Sequence, residues 1–158
     1  MSSSLIVFGT RKLSDRILKV GLNVYICNLK KIYSTMLKEG LTHTSTLVVS
    51  GALTAVAVGS GDMAVLGTPA MLALMENAAM LAVAQHLPKG STTVGGHIAS
   101  SHVKPTALGG EVTATATLTK VDGRRLHFAV QAHEGEALIG EGTHVRFIVD
   151  REKFLSKL

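Results

Sequence analysis

The sequence predicts an α+β domain in which one antiparallel sheet curls around a single central helix. Two observations carry this prediction. Residues 70–84 are rich in Ala, Leu and Met, which favours a helix, and they leave it almost no polar face. After this helix, several segments alternate apolar and polar residues with the period of two that is typical of half-buried strands. An apolar helix of this length must be enclosed by protein, and the strands supply that layer.

The elements before the helix are a strand and a loop. Residues 42–49 are dense in Thr, Leu and Val and predict the first strand. Residues 50–67 contain Gly and Ser breakers and no aromatic residue, which predicts a loop or a small lid. Thr68 as N-cap and Pro69 at the first helical position then begin the helix.

Four strands are predicted after the helix. Residues 92–103 supply one extended segment, and residues 111–121 and 126–133 alternate regularly on either side of an Asp-Gly pair that indicates a hairpin. In residues 137–149 the alternating apolar positions are Val145, Phe147 and Val149. The order is therefore strand, helix and four strands joined by short turns.

Composition divides the chain near residue 36. The formal charge is +5 over 158 residues, yet residues 1–35 contain six basic residues and one acidic residue, whereas residues 36–158 contain ten of each. We interpret residues 1–35 as a basic N-terminal extension outside the folded unit, with a transit peptide or a basic amphipathic surface helix as alternatives. Residues 36–158 are then a single domain.

The same composition limits location and partners. A formally neutral domain in a chain with 4% aromatic residues disfavours nucleic acid. One Cys excludes an internal disulfide and fits a reducing, cytoplasmic compartment. No apolar stretch reaches the ~18 residues of a membrane span, so no membrane partner is expected.

Glu76 is the most informative single residue. A carboxylate in an enclosed apolar helix has a large desolvation cost unless it is paired, which makes it a candidate for function. A buried ion pair or a hydrogen bond of purely structural purpose is the alternative. Taken alone, Thr68 is interpreted as a helix cap, and His102 is interpreted as an ordinary strand residue. His97 and His102 are expected on opposite faces of a strand, so no metal site is predicted.

Four short runs occur in one order along the chain. The first run begins with TPAM and ends with LME (residues 68–76), and the second begins with VGG and ends with SH (residues 94–102). The third is VDGRRL (residues 121–126), and the fourth is IGEGTH followed by Arg146 (residues 139–146). Together they resemble the fluoroacetyl-CoA thioesterase family within the hotdog fold, and the resemblance covers about residues 36–155.

The resemblance implies a catalytic set, a substrate and an assembly. Its catalytic residues correspond to Thr68, Glu76 and His102, and Gly95 corresponds to a glycine whose backbone N–H faces the thioester carbonyl. It also implies a homodimer that hydrolyses a small acyl-CoA, with no cofactor because CoA is part of the substrate. The family's namesake enzyme has Phe side chains in a longer lid, and residues 50–66 contain none, so fluoroacetyl selectivity is not carried over.

Thioester hydrolysis assigns each of these residues a role. Glu76 acts as nucleophile or general base, Thr68 orients Glu76 or the substrate, His102 is the acid/base, and the Gly95 N–H polarises the carbonyl. Thr68 and Glu76 are ~12 Å apart along a helix axis. We therefore expect Thr68 or His102 to reach the partner subunit's Glu76.

Three arginines and Lys104 are candidates for binding the CoA phosphates, and one alternative function stays open. The arginines are Arg124 and Arg125, on the predicted hairpin, and Arg146; solvated turn charges are the competing interpretation for the first two. The alternative function is a non-catalytic hotdog module that binds an acyl-CoA or another small hydrophobic ligand.

Overall fold

A computed structural model describes residues 37–158. The elements in chain order are β1 (Thr42–Val48), α1 (Thr68–Ala84), β2 (Ser91–Ser100), β3 (Glu111–Asp122), β4 (Arg125–Glu134), β5 (Ala137–Asp150) and α2 (Arg151–Leu155). The predicted extension at residues 1–35 lies outside the described residues and stays a prediction. The short helix α2, capped by the Asp150 side chain, has no counterpart in the sequence prediction.

The five strands form one antiparallel sheet in the order β1-β3-β4-β5-β2. The sheet curls around α1, which packs mainly against β1 and β3 and also contacts β2 and β4. This confirms the predicted α+β architecture. The link from β2 to β3 covers residues 101–110 and is longer than the short turn expected there.

The predicted alternation of β3 and β4 is confirmed. Both strands bury the expected side chains against α1: Val112, Ala114, Ala116, Leu118, Leu126, Phe128, Val130 and Ala132. The hairpin between them pairs Asp122 with Arg125, and Gly123 adopts a φ of 58° that favours glycine at the turn. Burial of these apolar side chains is the main stabilising contribution to the domain.

In β5 the face turned toward the core is not the apolar one. Val145, Phe147 and Val149 are only half-buried, whereas His144 and Arg146, with Ile148, are buried beside the helix. Alternation along a strand assigns its side chains to two faces, but it does not determine which face points toward the core. Here Glu76 on α1 provides a charged partner for the inward polar side chains.

The helix is also less enclosed than predicted. Among the described residues, α1 buries one side against the sheet and leaves the other side open. The partly or fully exposed residues of this open stripe are Thr68, Pro69, Leu72, Ala73, Glu76, Asn77, Met80, Leu81 and Ala84. Most of this stripe is apolar, and Leu81 is 38% exposed. No helix between residues 37 and 158 has both the length and the apolarity to cross a bilayer.

The segment between β1 and α1 is irregular, as predicted. It contains a single 3-10 turn at Gly51–Leu53 and is held by two isolated bridges, from Thr54 to Leu66 and from Val65 to Ala107. The segment therefore packs against the β2–β3 link, next to the N-terminal end of α1. We refer to residues 50–67 as the lid.

Candidate active site

The N-terminal end of α1 pairs Thr68 with His102. The helix is capped by Gly67 rather than by Thr68, so the Thr68 hydroxyl makes no cap and instead lies 2.8 Å from His102 Nδ1. His102 follows the end of β2 instead of lying on the strand as expected. Its Nε2 is buried and has no hydrogen-bond partner among the described residues. That nitrogen is therefore a buried polar atom whose hydrogen-bonding capacity is unsatisfied among these residues.

A cavity of about 310 Å³ opens beside this pair. Its wall combines Thr68 and His102 with apolar lid residues that include Met63 and Leu66, and Lys104 lies at its edge. At this wall the lid presents aliphatic side chains together with one hydroxyl and one carboxylate, and no aromatic ring. The cavity thus combines apolar and polar groups, as small-ligand sites do.

Glu76 lies in the middle of α1 and faces β5. Its Oε1 is 3.3 Å from His144 Nε2 and 4.0 Å from Arg146 Nη1, while its side chain is 40% exposed. The other polar residue of the helix interior, Asn77, accepts a hydrogen bond of 2.7 Å from Ser45 on β1. Glu76 is therefore the polar side chain of the helix interior that combines an ion pair with access to the open stripe.

The carboxylate of Glu76 fits against β2 because residue 95 is glycine. A Cβ built on Gly95 would come 2.5 Å from Glu76 Oε1, closer than real Cβ atoms approach. The pairing of β2 with β5 shifts register between Gly95 and His97, and β2 is an edge strand of the sheet. The edge glycine thus leaves room for both the carboxylate and a ligand to approach the backbone.

Arg146 is held inside the domain by β2. Its Nε donates to Thr93 Oγ1 at 2.8 Å, its Nη2 to the Thr93 carbonyl at 2.9 Å, and its Nη1 to the Glu76 carbonyl at 3.4 Å. Burial lowers the pKa of Arg146 from its ordinary value, and the carboxylate of Glu76 opposes this effect. The guanidinium nevertheless stays cationic at neutral pH and balances the charge of Glu76.

His144 is the third member of the ion-pair cluster, with Glu76 and Arg146. Its side chain is fully buried, and its Nδ1 lies 2.6 Å from the His97 carbonyl oxygen. Burial lowers the pKa of His144 below its ordinary value of 6.5, although the hydrogen bond to His97 and the charge of Glu76 act in the opposite direction. Sequence reasoning missed both His144 and Thr93. The signal for His144 was its position two residues before Arg146, on the same face of a strand.

The predicted site residues therefore fall into separate groups within one chain. Thr68 and His102 form one pair at the helix start, and Glu76 with Gly95 belongs to a second cluster, eight residues or ~12 Å further along α1. The structure places Arg146 in this second cluster, 6% exposed and with its donors occupied, rather than where a phosphate in solvent would meet it.

The other two arginines lie on the surface. Arg124 and Arg125 are exposed at the β3–β4 turn, and the Arg125 guanidinium lies 5.3 Å from the centre of the Phe147 ring. Their charges are open to a polyanionic ligand. Between residues 37 and 158 no three His, Cys, Asp or Glu side chains are grouped as a metal site would require.

Comparison with known proteins points to one group. Residues 49–152 match the family described as fluoroacetyl-CoA-specific thioesterase. The fluoroacetyl-CoA thioesterase of Streptantibioticus cattleyicolor is 43% identical over 94 residues, which is 60% of this chain and 68% of that protein.

Solved structures agree with this match. A fluoroacetyl-CoA thioesterase variant in complex with acetyl-CoA superimposes with a TM-score of 0.72 at 35% identity, covering 77% of this chain and 96% of that one. A hot-dog-like protein from Thermanaerovibrio acidaminovorans gives a TM-score of 0.71 at 22% identity, covering 79% of this chain and 93% of that one, which shows the shared fold.

Proposed function

This chain belongs to the fluoroacetyl-CoA-specific thioesterase family and is a thioester hydrolase with a hotdog fold, and we propose that it cleaves small acyl-CoA thioesters at a site shared by two copies. The observation that carries the proposal is the placement of Glu76. Its carboxylate lies 3.3 Å from His144 and 4.0 Å from Arg146, and its side chain is 40% exposed toward the stripe that one chain leaves uncovered.

The proposed chemistry uses four groups. As a general base, the Glu76 carboxylate removes a proton from the water that attacks the thioester carbonyl carbon, and the C–S bond breaks to give the free acid. As a nucleophile, it attacks that carbon itself, the C–S bond breaks, and water then hydrolyses the mixed anhydride so that the acid leaves and the carboxylate is restored. The Gly95 N–H donates to the carbonyl oxygen as negative charge develops there. His102 Nε2, which has no partner among the described residues, donates a proton to the departing sulfur, and the Thr68 hydroxyl fixes the orientation of its ring.

A dimer with its two-fold axis near the middle of the open stripe would place the Thr68–His102 pair of one copy beside the partner subunit's Glu76. Residue 72 is midway between residues 68 and 76, so two antiparallel α1 helices that cross there set Thr68 of one copy beside the partner subunit's Glu76. The residues at this crossing, Leu72 and Ala73, include a small exposed side chain that allows close approach. The same contact covers apolar surface that is open in one chain.

The proposed substrate combines a short acyl group with CoA. The relatives include a fluoroacetyl-CoA thioesterase and a variant bound to acetyl-CoA, which supports a small acyl group. The cavity of about 310 Å³ and the aliphatic lid residues Met63 and Leu66 in its wall support a short acyl chain without requiring fluorine. Arg124 and Arg125 are proposed to bind the CoA phosphates from the surface.

Mixing two inactive variants tests the shared site. Glu76→Ala and His102→Ala are purified separately, co-refolded and assayed by free-thiol release over a panel of short and medium acyl-CoAs. If each site takes Glu76 from one copy and His102 from the other, every heterodimer has one intact site, and random pairing restores about one quarter of wild-type activity. Each variant refolded alone is the control.

Two results would contradict the proposal. Mixtures that remain as inactive as the separate variants would mean that both residues act within one chain. Wild-type protein that hydrolyses no acyl-CoA in the panel but binds one tightly would favour the non-catalytic binding module.

A further inference from the structure

His144 is a buried titratable group that the proposed chemistry does not use. Its Nε2 is the nearest nitrogen to Glu76 Oε1 in the ion-pair cluster, at 3.3 Å. We propose that His144 is a proton-operated positioning residue: its imidazolium holds the Glu76 carboxylate, and its neutral form releases that carboxylate for attack. This inference rests on the proposed role of Glu76 in catalysis.

The hydrogen bonds of the ring decide which nitrogen titrates. Nδ1 lies 2.6 Å from the His97 carbonyl oxygen, and a carbonyl oxygen only accepts hydrogen bonds. Nδ1 therefore bears a proton in both charge states, so that Nε2 is the nitrogen that gains and loses one. With that proton, Nε2 donates to Glu76 Oε1; without it, Nε2 turns a lone pair toward the same oxygen.

The neutral ring has another partner in place. Arg146 Nη1 lies 3.2 Å from His144 Nε2 and is 4.0 Å from Glu76 Oε1. When the Nε2 proton leaves for solvent, Nε2 accepts from this guanidinium, and the carboxylate loses its direct donor on the ring. One arginine thus stabilises the released state while still balancing the charge of Glu76.

The surroundings of the ring act on its protonation in both directions, and burial, which favours the neutral ring, is the largest effect. The α1 helix contributes Glu76, β5 contributes Arg146, β2 contributes His97, and β4 contributes the Phe128 ring at 6.4 Å. With His144 neutral, the charges of Glu76 and Arg146 cancel; with His144 protonated, the buried cluster has a net positive charge. Burial, the largest effect, lowers the pKa of His144 from 6.5, and Arg146 acts in the same sense.

The first test measures the ring itself in wild-type protein without substrate. Long-range ¹H–¹⁵N NMR distinguishes the two imidazole nitrogens and follows their protonation between pH 4.5 and 8. We expect Nδ1 to stay protonated at pH 7.5 and Nε2 to titrate with a midpoint below 6.5. A ring protonated on Nε2 at pH 7.5 would overturn the proposal. This measurement needs neither a variant nor turnover.

The second test measures the pH dependence of turnover. In His144→Gln an amide replaces the ring and can donate to Glu76 at every pH, so kcat falls by up to about a hundredfold while KM stays within about twofold. The acid limb of kcat that protonation of His144 produces in wild-type protein is absent from this variant. His86→Gln, at an exposed histidine just beyond α1, is the matched control and leaves the limb in place.

The outcomes separate this inference from the proposed function. An acid limb unchanged in a folded His144→Gln variant would refute the positioning role of His144. If wild-type protein hydrolyses no acyl-CoA while the NMR titration follows the expected course, the proposed function is wrong, but the pH-dependent interaction between His144 and Glu76 is supported.

Discussion

Replacing Gly95 with alanine perturbs the site through one added methyl group. The new Cβ would lie 2.5 Å from Glu76 Oε1 and 3.5 Å from His144 Cε1, whereas real Cβ atoms essentially never come within 3.0 Å of another heavy atom. The Glu76 carboxylate must therefore retreat by at least half an ångström. The backbone N–H of residue 95 is retained, so the substitution tests the position of the carboxylate and leaves the proposed oxyanion donor in place.

The expected effect on turnover exceeds the effect on stability. Misplacement of a reacting group by 1 Å costs about a hundredfold in rate, or about 2.7 kcal/mol of transition-state stabilisation. The free energy of unfolding should fall by only about 1 kcal/mol, because the displaced atom is the end of a half-exposed side chain that can rotate. Because the carboxylate retreats by at least half that distance, a loss of kcat of about tenfold to a hundredfold with little loss of stability is the expected signature.

Gly96→Ala is the matched control for this prediction. Its Cβ would meet the Phe147 ring and no atom of Glu76, so overpacking should lower the free energy of unfolding by about 1–3 kcal/mol and leave kcat nearly unchanged. Steady-state kinetics by thiol release and chemical denaturation measure both quantities for both variants. A Gly95→Ala protein with wild-type kcat would refute the argument that this carboxylate must occupy the space beside residue 95.

Three further predictions follow from burial and charge. Phe128→Ala should destabilise the domain by about 3–5 kcal/mol in urea denaturation, because it empties a site that is 1% exposed; the exposed Phe154→Ala should cost far less. Replacing Arg124 and Arg125 with Ser should raise KM for acyl-CoA about fivefold per charge at low salt, while KM for an acyl thioester without phosphates stays unchanged. Because burial lowers the pKa of His144, the native state binds fewer protons at this residue than the unfolded chain does. The melting temperature should therefore fall as the pH drops through 6.5, and His144→Gln should remove this part of the pH dependence.

Local patterns predicted the elements of this fold well. The strand alternation of residues 111–133, the hairpin at Gly123 and the helix at residues 68–84 all depend on interactions between near neighbours in the chain, which a single sequence displays. The candidate residues Glu76 and Gly95 were also identified from the sequence, and the structure brings them together.

The sequence by itself determined that one carboxylate lies in an apolar helix beside an alternating sheet, since helix propensity and strand periodicity are local properties. Only the tertiary structure decided what surrounds that carboxylate. Both faces of β5 alternate with the same period, and its apolar face, marked by Phe147, points away from the helix, while His144 and Arg146 point toward it. That choice depends on Glu76, which lies 68 residues before His144 in the chain. Burial of two polar side chains is costly unless the charge of Arg146 is balanced and both side chains are hydrogen-bonded.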